Sequence, residues 1–188
     1  MSAKDAIERS FRKLIAEKPY SKITVTEICR GAHVSRKSFY DSFDCKADIV
    51  EWVFNKDVIE PLRSVNSAIP MRQLRSFSNV FMENVYEKVQ SDAEFYRHLA
   101  GPTPSANNVL VKAITDSIVK LNNELLEEYF QVNDLERDYV SYFYASAQAL
   151  LIQKWVADGM PISPHQLAEL YLKMFGSYWT DKFDVNFE

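Results

Sequence analysis

The sequence predicts an all-α protein, an N-terminal three-helix head on a C-terminal helical bundle, and three observations support this. Apolar residues recur at helical spacing along almost the whole chain. No segment alternates apolar and polar residues between turn signals for long enough to argue for a sheet. Helix start and stop signals bound the periodic segments, most densely between Ile23 and Lys46.

The first element runs from Ala3 to Glu17, with Ala6, Ile7, Phe11, Leu14 and Ile15 on one face. In ITVTEICRGAHVSRKSFYDSFDCK, Thr24 and Glu27 stand at capping-box spacing and Ile23 and Ile28 at hydrophobic-staple spacing, so a helix starts at about Val25. Val25, Ile28, Cys29 and Ala32 form its buried stripe. Gly31 to Val34 breaks the run, and Ser35 caps a second helix over about Arg36 to Phe43. Phe39 and Phe43 face inward there. Arg36, Lys37, Ser38, Tyr40 and Ser42 are left on a surface that can donate hydrogen bonds to phosphates and base edges. Two helices joined by so short a turn form a helix-turn-helix, whose second helix enters the major groove of double-stranded DNA.

After Lys46 a longer helix continues through Ile49, Val50, Trp52, Val53 and Phe54, and Pro61 should kink or end it. Further helices are predicted over Met71 to Val89, over Asp92 to Ala100 with a Ser91/Glu94 capping box, and over Asn107 to Phe130 after the breaker GPTPS. Leu135 to Asp158 is stopped by Gly159. Ser163, Pro164 and Gln166 open the last helix with a cap, a first-turn proline and a capping box. Its apolar stripe is Leu167, Leu170, Tyr171, Met174, Phe175 and Tyr178, opposite which the preceding helix offers Phe143, Ala147, Leu150 and Leu151. Packed on each other and on a symmetry mate, these two helices would form the four-helix interface of a homodimer.

The net charge of −4 divides unevenly. Residues 1–50 hold 10 Lys and Arg against 7 Asp and Glu, and the rest hold 12 against 19. A basic head on an acidic body suits DNA, because phosphate neutralisation is local. No apolar run is long enough to span a bilayer and the N-terminus lacks the apolar block of a signal peptide, which predicts a cytoplasmic protein with no membrane partner. Cys29 and Cys45 have no metal-ligand spacing, so no metal or cofactor is expected. The chain has no Gly-rich phosphate loop, no His/Glu metal motif and no nucleophile with a base, which argues against an enzyme. The alternative is a helical adaptor or co-regulator whose main partner is another protein. It leaves Arg36, Lys37, Tyr40 and Lys46 without the anionic surface they require.

The segment ITVTEICRGAHVSRKSFYDSFDCKADIV resembles the N-terminal signature of the TetR/AcrR regulators: an aromatic-rich recognition helix ending in Tyr40, then Phe43, then Lys46 opening the next helix. The resemblance covers about residues 5 to 55, and LIQKWVADGMPISPHQLAELYLKMF is similar to the C-terminal end of one subgroup. It implies a DNA-binding domain at 1–46 and a ligand-binding and dimerisation domain at 47–188. It also implies a homodimeric repressor, released from a palindromic operator by a small-molecule or protein effector. Tyr40 and Lys46 are then the phosphate contacts, and Arg36, Lys37 and Ser38 meet base edges. Thr26, Ser35 and Ser42 add donors. The last two helices would dimerise through Phe143, Ala147, Leu150, Leu151, Leu167, Leu170, Tyr171, Met174 and Phe175, and Phe81, Tyr96, Tyr142 and Trp155 are candidates to line an effector pocket. One departure is His33, where the family usually has Gly; His is among the few residues that tolerate the positive φ of that turn.

Overall fold

The computed structural model describes residues 2–66, 71–102, 105, 107–129 and 133–182. Every regular element among them is helical. Helix α1 (Ala3–Glu17) starts from a capping box in which Asp5 N donates to Ser2 Oγ at 3.2 Å and Ser2 N to Asp5 Oδ2 at 3.0 Å. It buries Ile7, Phe11 and Ile15. Helix α2 (Val25–Ala32) starts from the predicted Thr24 and Glu27 box.

Gly31 lies inside α2 and not in the break that follows it. A Cβ there would stand 2.3 Å from Ser10 Oγ, and that hydroxyl donates to the Ile28 carbonyl at 2.8 Å, so glycine lets α1 and α2 approach closely. Gly31→Ala should expel the Ser10 hydroxyl from this bond. The displaced hydroxyl, on a residue only 7% exposed, loses its acceptor at a cost of about 1 to 3 kcal/mol, partly offset by about 1 kcal/mol of helix propensity. The expected result is a lower urea midpoint; an unchanged one would show that α1 yields freely.

His33 ends α2 at φ 55° and ψ 39°, the left-handed geometry that glycine usually supplies. Helix α3 (Arg36–Tyr40) is capped by Ser35, and its hydrogen bonding continues as a turn in which Phe43 N donates to the Phe39 carbonyl at 2.9 Å. Helix α4 (Lys46–Phe54) begins at Cys45, where the Asp48 carboxylate accepts from the Asp44 and Cys45 amides at 2.8 and 3.0 Å.

Pro61 acts upstream of itself. The chain widens to a π-helical segment, Asn55–Ile59, before resuming as α5 (Glu60–Asn66). Proline has no N–H, and its ring collides with the carbonyl four residues back, so an α register cannot pass through Asp57 to Pro61 undisturbed. The predicted kink is therefore a π-bulge.

Helix α6 (Met71–Ser91) runs two residues past its predicted end, with Ser91 Oγ donating back to the Lys88 carbonyl at 2.7 Å. The Ser91/Glu94 box is consequently not formed. Asp92 becomes the first flanking residue of α7 (Ala93–Ala100) and gives that helix no side-chain cap. Asn108 joins α7 to α8 (Val109–Tyr129): its Nδ2 donates to the Leu99 and Ala100 carbonyls at 2.9 and 3.0 Å while its Oδ1 accepts from Leu110 N at 2.7 Å.

Helix α9 (Asp134–Ala157) lies along α8, and α10 (Pro164–Lys182) lies along α6. Sequence periodicity predicts that the last two helices pack on each other and on a symmetry mate; within the chain each lies along an earlier helix instead. They are joined by a turn with Gly159 at φ 83° and Met160 at φ 59°, closed by Trp155 Nε1 donating to the Ile162 carbonyl at 2.9 Å. The Ser163 and Gln166 box forms as predicted. Buried apolar residues make one cluster from Ile7 in α1 to Tyr171 in α10, so head and body share a core.

Candidate nucleic-acid interface

The candidate surface is built on two buried rings. Phe39 and Phe43 anchor α3 against the head, their centroids 5.9 Å apart, and Phe43 meets Trp52 of α4 edge-on at 6.0 Å. With that face inward, Arg36, Lys37 and Tyr40 project to solvent, and Thr26 is exposed on the first turn of α2. Tyr40 leans edge-on against Phe39 at 5.3 Å, which holds its hydroxyl outward at little entropic cost. Ser35 is occupied as a cap, its Oγ accepting from Ser38 N at 3.0 Å. Ser42 Oγ donates to the Ser38 carbonyl at 3.2 Å, so it is half-committed within the helix.

Lys46 is placed differently from a free surface lysine. Its Nζ donates to the Tyr20 and Ile23 carbonyls, both at 2.8 Å, and lies 4.2 Å from the centre of the Tyr20 ring. Two of its three N–H groups thus tie the start of α4 to the chain entering α2, and partial burial lowers its pKa.

At the other end of α2's capping box, Glu27 accepts from Lys18 and from the Thr24 amide and hydroxyl. These bonds, led by Lys18, hold its carboxyl down from the ordinary 4.5 to about 2. A depressed folded-state pKa contributes stability that is present above about pH 4.5 and is lost as pH falls toward 2. Acid unfolding followed by circular dichroism should be less steep in that window for Glu27→Gln. Identical acid limbs would remove Glu27 from the linkage.

The predicted dimer stripe divides in two. Leu167 and Tyr171 are only 2% and 8% exposed and turn into the core of their own subunit, whereas Leu170 and Met174 are 42% and 49% exposed. The cause is that α10 must cover α6 within the chain, so one pair four residues apart points inward and the other points out. Leu167 and Tyr171 are therefore corrected from interface to core. Leu135, Tyr139, Tyr142 and Phe143 form a second exposed apolar stripe on α9, with Ala147, Leu150 and Leu151 half-buried beside it. The side chain of Phe175 lies outside the described residues.

The four effector candidates do not converge. Trp155 is buried with its N–H satisfied by Ile162, Tyr142 belongs to the exposed α9 stripe, Phe81 is half-buried, and Tyr96 sits at the seam with the head.

That seam escaped the sequence reading. Arg12 of α1 bonds Glu8 at 2.8 Å and Asp57 at 2.7 Å, pairs with Asp92, and lies 4.4 Å over the Phe95 ring. Lys56 bonds Glu8 at 2.7 Å. The head thus touches the body through α1 and α7 as well as through α4. Partners 45 and 80 residues apart carry no periodic signal that a single sequence could reveal.

A family of transcriptional regulators, described by their C-terminal region, matches residues 78–177, and the tetR family of bacterial regulatory proteins matches residues 11–53. The chain belongs to the TetR family. It is a DNA-binding transcriptional regulator. Over 160 residues it is 19% identical to the HTH-type dhaKLM operon transcriptional activator DhaS of Lactococcus lactis, covering 81% of this chain and 79% of that one. A TetR-family regulator from Syntrophomonas wolfei has the same fold, with a TM-score of 0.62, 18% identity, and coverage of 98% of each chain. Thermus thermophilus FadR, a TetR-family repressor solved with lauroyl-CoA, gives a TM-score of 0.54 at 18% identity, covering 91% of this chain and 92% of that one. No helix among the described residues is long and apolar enough to cross a membrane.

Proposed function

We propose that this TetR-family regulator binds a palindromic operator as a homodimer, represses from it in the cytoplasm, and is released by an effector acting on the body. Residues 1–46 would be the DNA-binding domain and 47–188 the regulatory and dimerisation domain. The observation that carries this reading is α3, where Arg36, Lys37 and Tyr40 project from a helix fixed by buried Phe39 and Phe43. The exposed stripes on α9 and α10 supply a surface for a second copy. Release by a small molecule is supported by FadR, a repressor of the same fold that holds lauroyl-CoA. DhaS is named an activator, so activation is the second reading.

Selection from random duplex DNA tests the reading. A two-fold symmetric motif is expected, with half-sites about one helical turn apart. An asymmetric motif, or no enrichment, would contradict it.

A further inference from the structure

We propose that Arg12 sets the half-site spacing this regulator accepts, by fixing the angle at which each head stands on its body. Each of its three guanidinium nitrogens goes to a carboxylate on a different element: Nε to Glu8 of α1 at 2.8 Å, Nη2 to Asp57 of the π-helical segment at 2.7 Å, and Nη1 to Asp92, the residue that opens α7. The guanidinium also lies 4.4 Å over the Phe95 ring of α7. A planar fork held by three acceptors and a ring has little freedom to turn, so it fixes an angle and not only a distance. The Arg12 side chain is only 27% exposed, which spares these bonds much of the screening that weakens surface pairs. Phe11 meets Phe95 edge-on at 6.2 Å in the same contact, but apolar burial is non-directional and lets two helices slide.

What Arg12 orients is the whole head. Helix α1 packs so closely on α2 that the Ser10 hydroxyl reaches the Ile28 carbonyl at 2.8 Å, and Phe39 and Phe43 seat α3 on the same core. The tilt of α1 against α7 is therefore the tilt of α3 against the body. In a two-fold dimer that tilt counts twice, and it decides how far apart the two recognition helices stand. Lys56 adds a second tie, from the π-helical segment to Glu8 at 2.7 Å. With Asp5, the node gathers four carboxylates around Arg12 and Lys56, so removing the guanidinium leaves like charges facing one another between α1 and α7. The spacing claim rests on the reading of the chain as a dimeric regulator on a palindrome, whereas the hold of Arg12 on the head does not.

Affinity for operators re-spaced at their centre tests the spacing claim. Each inserted or deleted base pair turns one half-site by about 35° relative to the other and moves it by about 3.4 Å. The unaltered chain should lose affinity about tenfold or more for a change of one base pair, since either the DNA or the heads must twist to restore the fit. Asp92→Asn keeps a good residue at the N-cap of α7 while removing the charge that α7 offers Arg12. In that variant and in Arg12→Met, affinity for the best spacing should fall several-fold, because loosened heads must be ordered on binding, and the penalty for re-spacing should shrink to about threefold or less. Lys112→Met, which removes a pair with Asp116 inside α8, should keep the original profile. Variants that bind more weakly with an unchanged spacing profile would make Arg12 merely structural and overturn the proposal, leaving the regulator reading intact. An unaltered chain that binds no palindrome at any spacing would overturn the spacing claim together with that reading.

The hold on the head is read without DNA, from the distance between spin labels on Cys45, exposed in the head, and on Lys154→Cys, exposed in the body, in labelled chains diluted with unlabelled protein; Cys29 is buried. One narrow distance is expected with Arg12 and Asp92 in place, and a broad distribution in Asp92→Asn. Equal widths would overturn the hold itself.

Discussion

Glutamate in place of Leu170 or Met174 is expected to abolish binding to a palindromic operator while leaving each subunit folded. Both side chains are about half exposed on the outer face of α10, so the free chain tolerates a charge there. In a two-fold dimer every substitution occurs twice, and each unpaired buried carboxylate costs several kcal/mol. The pair of charges therefore outweighs most of what an interface of ordinary size supplies. Phe143→Glu on α9 should act in the same way. Leu167→Glu should differ in kind, because Leu167 is buried within its own subunit and the variant should unfold or aggregate. Light scattering distinguishes these outcomes. Dimers that persist in both the Leu170→Glu and Phe143→Glu variants would move the interface elsewhere.

Loss of Arg36 or Lys37 is expected to change which sequence is bound, and not only how tightly. The first turn of a recognition helix meets base edges, where a lost bidentate contact costs about 1 to 3 kcal/mol at one base pair. Tyr40→Phe should instead weaken all sequences by a similar factor, since a phosphate contact positions without reading. Lys46→Ala is more complex than the sequence alone suggested. Its ammonium holds the Tyr20 and Ile23 carbonyls, so stability should fall by about 1.5 to 3 kcal/mol whether or not DNA is present. A phosphate reached by its third N–H would also flatten the plot of log affinity against log salt by roughly 0.9. Lost stability with an unchanged salt slope would make Lys46 purely structural. Binding-site selection giving the wild-type motif for both Arg36→Ala and Lys37→Ala would remove them from base readout.

The head was legible because its signals are local. Thr24 with Glu27, Ser35, and Ser163 with Gln166 each fix a helix start within three residues, and all of these caps form. His33 was readable from its position alone. Gly31 was misread because its role is tertiary: it makes room for Ser10, twenty-one residues away, and nothing in the local pattern reports that. The Ser91/Glu94 box failed where a local rule met a longer-range one, since Arg12 claims Asp92 and α6 runs on through Ser91. The stripe on α10 showed that a helix has two apolar faces without showing which partner each face meets. That division depends on α6 lying beneath it, which periodicity cannot supply. The Arg12 network joins elements far apart in sequence, and the Asn108 bracket and the unpaired Tyr96 hydroxyl can be seen only in three dimensions.

The most direct test is a stoichiometric titration of a selected palindromic operator, followed by fluorescence anisotropy at protein concentrations well above the dissociation constant and repeated across a salt series. Saturation at two chains per operator is expected, with affinity falling linearly in log salt and with the slope of several released counterions. Saturation at one chain per operator, or an affinity indifferent to salt, would contradict a dimeric regulator that grips DNA through α3.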